Sequence, residues 1–164
     1  MTNTTLRDDN QVPFGNVDSF AVAVDVPAAF TGATANTRGN DGGTNDPFTL
    51  FTVTGEVLVR LFGVCTTDLA GATATVEVGV TGNTAVLLAQ ELATEIDANG
   101  IYVSATQVLG AVALATVTGP FVIANGLDII ETVGTTNITS GNIKYICLWR
   151  PLSRNGSVVA VTPG

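Results

Sequence analysis

FTLFTVTGEVLVRLFGVC, from Phe48 to Cys65, sets two apolar runs on either side of Thr54-Gly55. Both runs are rich in β-branched and aromatic side chains, which pack well on a pleated surface, and glycine takes the positive φ that a tight turn needs. Two strands joined by a turn are expected here. The same alternation of run and turn then continues. ATVEVGV, AVLLAQ, IYVSAT, AVALATV, LDIIETV, IKYICLWR and SVVAV follow, with DLAG, TGN, DANG, TGP, ANG, TTNITSGN and SRNG between many of them. Short strands at regular spacing predict an all-β fold, an antiparallel β-sandwich or a jelly-roll-like barrel.

Side-chain alternation assigns faces. In ATVEVGV, Val76, Val78 and Val80 share one face, while Thr75, Glu77 and Gly79 share the other, as in a strand with one wet side. IKYICLWR differs. Ile143, Tyr145, Cys147 and Trp149 form one face and Lys144, Ile146, Leu148 and Arg150 the other, so both carry apolar bulk. Such a strand is central to a sandwich or faces a partner. Arg60, a charge among the apolar neighbours of VLVRLF, marks an edge or a subunit interface, or else snorkels to water. AVLLAQELATEIDANG also fits a helix with Val86, Ala89, Ala93 and Ile96 facing inward, but its closely flanking Gly and Thr favour a strand.

Upstream of Phe48 the pattern is weaker. Residues Met1 to Asp18 are polar apart from Val12, Pro13 and Phe14, and they read as an extended N-terminal arm. SFAVAVDV, Ser19 to Val26, is a first strand. TGATANTRGNDGGTNDP, Thr31 to Pro47, collects turn formers with almost nothing to bury and reads as a long exposed loop. The chain thus divides into an arm, first strand and flexible loop over 1–47 and a β-sandwich domain over 48–164.

Composition limits the function. The chain of 164 residues is long enough to bury a core without disulfide or metal staples. Charged residues are 12% of it, where about 25% is usual. Mean hydropathy is +0.42. Apolar side chains therefore exceed what the charged ones balance, and much of the surplus is expected in contacts between proteins. The stretch from Ile101 to Leu127 is uncharged, but Ser, Thr, Gln, Gly and Pro interrupt it, which favours strands and turns over a membrane span. A net charge of -8 opposes binding to a nucleic-acid backbone. The first residues lack the features of a secretory signal, so synthesis in the cytosol is expected. Cys65 and Cys147 read as buried thiols, with a disulfide left open should their strands be neighbours and the protein later leave the cell.

A reactive centre is hard to assemble. The chain has no histidine, which excludes Ser-His-Asp and Cys-His arrangements. Glu91, Glu95 and Asp97 are the best carboxylate cluster, and Glu91 with Asp97 defines a glycosidase alternative, but they read as a solvated acidic edge, since no aromatic sugar platform lies nearby in sequence. Asp97-Ala98-Asn99-Gly100 resembles part of a calcium loop but lacks its third alternating ligand and its bidentate Glu, so it reads as a plain turn. The loop around Asp41 reads as a connection. No catalytic, cofactor-binding or metal-binding residue is assigned. The residues singled out for a capsid or subunit interface are Phe14, Phe20, Arg60, Trp149, Arg150 and Pro151. Trp and Arg are enriched at binding hot spots, the alternative being a core Trp149 that closes one end of the sandwich. Pro151 ends the ladder of its strand.

The block from FTLFTVTGEVLVRLFGVC through TATVEVGVTGNTA and LDIIETV to IKYICLWRPLS resembles small head structural proteins of tailed bacteriophages, of the kind that decorate capsids. The resemblance covers about residues 48 to 161. It implies a β-rich cement protein, made in the host cytoplasm and located on the outer capsid surface of the virion, with the major capsid protein and further copies of itself, commonly as trimers, for partners. From charge, hydropathy and the missing motifs, no cofactor, nucleic-acid or membrane partner is expected. A tail-fibre or receptor/carbohydrate-binding β module is the alternative of a different class.

Overall fold

A computed structural model describes residues 20–24, 29–34, 37–104 and 107–161 of the chain. Phe14 and the whole of the proposed arm, Met1 to Asp18, lie outside these residues. The described chain is all-β. Its strands are β1 (Ala21–Val24), β2 (Phe48–Thr54), β3 (Val57–Ala70), β4 (Thr75–Val80), β5 (Asn83–Leu92), β6 (Gly100–Tyr102), β7 (Gln107–Leu109), β8 (Phe121–Ile123), β9 (Ile129–Gly134), β10 (Ser140–Pro151) and β11 (Ser157–Ala160). They form two antiparallel sheets that pack as a β-sandwich. The first has the order β1-β10-β3-β6-β7, with β8 also on β3, and the second the order β11-β2-β9-β4-β5.

The alternation of the long strands builds the core. Val57, Val59, Leu61 and Cys65 of β3 and Ile143, Tyr145 and Cys147 of β10 are buried, and they meet Leu50, Phe51, Val76, Val78, Leu88 and Ile129 of the second sheet. Tyr102 of β6 lies wholly inside, and its hydroxyl donates to the carbonyls of Val76 (3.1 Å) and Ala89. A side chain of the first sheet is thus tied to two strands of the second. Glu77 takes the wetter side of β4 as its alternation predicts, but Thr75 and Gly79, expected on the same side, are buried and Val80 is half-buried.

AVLLAQELATEIDANG is the favoured strand as far as Leu92 and then a 3-10 turn over Ala93–Glu95, because β5 pairs along β4 from Val80↔Asn83 to Thr75↔Leu92 and that pairing overrides the helical spacing. Other local expectations are corrected. AVALATV forms no strand: Leu114–Thr116 is a 3-10 turn, and its alanines offer little bulk for a pleated surface. Arg60 is not on an edge, since β3 is flanked by β10 on one side and by β6 and β8 on the other. Within Thr31 to Pro47, expected to have almost nothing to bury, Arg38 is only 3% exposed. That segment is laced to the start of β10: Phe30 donates to the Gly141 carbonyl, Gly32 to Ile138, and Ile138 to Gly39.

The strands of Cys65 and Cys147 are neighbours, yet no disulfide joins them. Cys65 stands opposite Ile143, and Cys147 is four residues further along β10. At about 3.3 Å per residue that offset is roughly 13 Å. A disulfide needs Cα atoms within about 7 Å.

Candidate interaction surface

The pairing of β10 with β3 decides what the outer face of the first sheet presents. Leu148 lies opposite Arg60, Ile146 opposite Phe62, Lys144 opposite Val64, and Arg150 opposite Leu58. None of these belongs to the core, and all are half-buried where they stand. The register extends the row sideways. Val22 of β1 faces Leu148, Ile101 of β6 faces Val64, and Val122 of β8 faces Leu58. Val22 is 60% and Val122 63% exposed. The result is an apolar sheet face carrying Arg60, Lys144 and Arg150.

The outer face of the second sheet contrasts with it. Thr52 and Thr54 of β2, Thr132 of β9, and Glu77 of β4 occupy the outward positions, with Gln90 of β5 donating to Glu77 at 3.4 Å. Val159 of β11, opposite Thr52, is 60% exposed on the same face, so this face mixes polar positions with one open apolar side chain. The first sheet is apolar on both faces; the 111–118 segment, with Val117 buried outside the core, covers part of the outer one, and the rest is open to another molecule.

The residues expected at an interface divide between the two sides of the first sheet. Phe20, Arg60 and Arg150 come together on or beside the outer face: Arg150 Cζ is 5.9 Å from the Phe20 ring centroid, and Arg60 Nη1 donates to the Val117 carbonyl at 3.4 Å. The guanidinium of Arg60 therefore also holds the 111–118 segment against the sheet. Trp149 points the other way. It packs partly buried against the core between Ala21 and Val59, so it closes one end of the sandwich. Pro151 ends β10 opposite Val57. The apolar partners of Arg60 and Arg150, above all Phe62, Ile146 and Leu148, were not singled out from the sequence, although the two-sided apolar pattern of IKYICLWR is their signature.

A second polar constellation lies inside, and nothing in the sequence pattern marked it. Arg38 Nε and Nη2 donate to Glu131 Oε1 and Oε2 at 2.8 and 2.7 Å, with Glu131 1% exposed. Phe30, Phe48 and Tyr145 surround the guanidinium, with ring centroids 4.5, 5.2 and 5.8 Å from Cζ. Burial, with Glu131 beside it, pushes the Tyr145 phenol well above its ordinary range. A neutral phenol and a paired carboxylate enclosed by rings hold the fold together.

The acidic candidates serve turns and edges. Asp97 takes a hydrogen bond from Gln107 Nε2 at 3.4 Å, while Gln107 Oε1 accepts from the Asp97 N–H at 3.0 Å. Glu91 Oε1 accepts from the Leu92 N–H. The Asn99 φ of 66° and the Gly100 N–H to Asp97 carbonyl bond make Asp97-Ala98-Asn99-Gly100 a turn. Asp46, in the loop with Asp41, accepts from the N–H groups of Gly42 and Val133. Among the described residues no three Cys, Asp or Glu side chains group as metal ligands. No helix of the described residues is long and apolar enough to cross a membrane. No family model, curated protein or solved structure matches the chain.

Proposed function

We propose that this chain is a structural protein of a bacteriophage virion that decorates the capsid and stabilises it by binding across neighbouring capsomers. The observation that carries the assembly role is the outer face of the first sheet, where Phe62, Ile146 and Leu148 line a surface that a sandwich standing alone would cover with polar side chains. Contacts of this kind repeated over a lattice hold through avidity even when each is weak. The resemblance of the phrases over about residues 48 to 161 to phage head proteins suggests the partner, the major capsid protein, and the place, the outer surface of the shell. A homotrimer is the form in which such proteins commonly assemble.

The test uses capsids stripped of decoration. Purified protein added to them is expected to co-sediment with the shells and to raise their rupture temperature. Shells that neither retain the protein nor gain heat resistance would remove the decoration role.

A further inference from the structure

We propose that the outer face of the first sheet is covered by a second copy of this chain, docked head-to-tail through the acidic margin that joins β5 to β6. The inference rests on the reading of this chain as an assembly module and names the molecule that first covers its apolar face.

Charge selects the occupant. The sequence carries Lys+Arg 6 against Asp+Glu 14, and three of the six cations, Arg60, Lys144 and Arg150, stand on this one face. Arg60 and Arg150 also hold intramolecular contacts, to the Val117 carbonyl and the Phe20 ring, so their charges are fixed in place on the face. A two-fold contact of the face with itself would set the same three cations against one another. A contact between other surfaces of two molecules with net charge -8 would set acid against acid.

The complementary patch is on the chain itself. Leu92 ends β5 with 43% exposure, and Leu109 of edge strand β7 is 67% exposed. Glu95 and Asp97 belong to the connection after β5, Glu91 stands beside it at the end of β5 opposite Val76, and Asp68 is tied to it through the Ala98 N–H. Bonds from Asn99 to Cys65, Leu69 to Ile96, and Gly110 to Asn99 fasten this margin to β3 and to the end of β7. It is an ordered surface with apolar side chains among carboxylates, the counterpart of apolar side chains among cations. Two different patches in contact make a heterologous interface, which closes into a ring or continues as a line. Opposite charge across it fixes orientation and makes assembly sensitive to salt.

The experiment measures the mass of the purified full chain by light scattering and native mass spectrometry. The wild type is expected to form a species larger than a monomer that loosens as salt is raised. Leu148→Asp on the face, and separately Glu91→Lys with Glu95→Lys on the margin, are each expected to give monomers with unchanged circular dichroism. Mixing the two variants leaves one intact pair of patches and is expected to yield a heterodimer and nothing larger. Should Leu148→Asp fail to fold, Lys144→Glu replaces it. A monomeric wild type, an oligomer indifferent to either set of substitutions, or a mixture that stays monomeric would overturn the head-to-tail contact. Capsid co-sedimentation is scored separately: a monomer that still binds shells sinks this inference alone, and an oligomer that ignores them sinks the decoration role alone.

Discussion

Arg38 and Glu131 form a two-point ion pair in the interior of the sandwich, at 2.8 and 2.7 Å, with three aromatic rings about the guanidinium. Glu131 lies on the inward side of β9, flanked by Phe48 of β2 and Val78 of β4, and Arg38 reaches it from the segment ahead of β2. Both charges have left water. Each therefore depends on the other, and the 29–47 segment is held to the second sheet by a contact that tolerates little displacement.

Removing one member strands the other. Arg38→Met is expected to cost about 3–5 kcal/mol of unfolding free energy, because Glu131 would remain buried without its cation. Replacing both, as Arg38→Met with Glu131→Leu, is expected to recover much of that loss. Urea unfolding of the two single variants and the double variant gives the coupling. Single substitutions no worse than the double one would show the pair to be dispensable.

The thiols set a limit at high pH. Burial pushes Cys65 from 9.0 up to about 11 and Cys147 from 9.0 up to about 12. An unfolded chain would lose these protons from about pH 9, while the folded one keeps them. The neutral thiol's contribution to stability is thus fully present below pH 9 and is lost as pH rises from there through 11 to 12. The midpoint in urea should fall over that window, and Cys65→Ala with Cys147→Ala should flatten the fall. Below it, a thiol-labelling reagent should react with the unfolded chain and spare the native one.

Trp149 is a packing residue that closes the core beside Val59 and Ala21. Because its ring is only partly buried, Trp149→Ala is expected to cost about 2–3 kcal/mol, below the range for a fully enclosed ring. Thermal unfolding measures it. A variant as stable as the wild type would mean that the ring contributes nothing to closing the core.

Gly39 has a φ of 96°, and a Cβ there would come 2.3 Å from the Ile138 carbonyl oxygen. The Gly39 carbonyl also accepts from the Ile138 N–H, so the backbone cannot withdraw without giving up that bond. Gly39→Ala is expected to destabilise by about 2 kcal/mol or more. Hydrogen exchange at Ile138 should accelerate in the same variant, and unaltered exchange would contradict the account.

Much of this architecture is legible in the strands themselves. The runs from Phe48 onward alternate with turn residues, and β2, β3, β4, β9, β10 and β11 fall where that alternation places them. The two apolar faces of IKYICLWR already announce a strand with something on each side. Arg38 and Glu131 were not legible. Thr31 to Pro47 has the composition of a solvated loop, and a single arginine in it is indistinguishable from a surface residue until its carboxylate partner, 93 positions away, is brought beside it. Val86, Ala89, Ala93 and Ile96 fit helix and strand alike, and the choice falls to pairing with β4.

The sequence by itself determined that this chain is all-β with no histidine chemistry, because local alternation and turn residues act over a few positions and composition needs no fold at all; that the strands make a sandwich of two sheets and not a closed barrel came from the structure. Only the tertiary structure decided which apolar face turns inward, where the buried charges meet and which cations share a surface. Those outcomes depend on register between strands far apart in the chain, and register is fixed by the packing of both sheets at once.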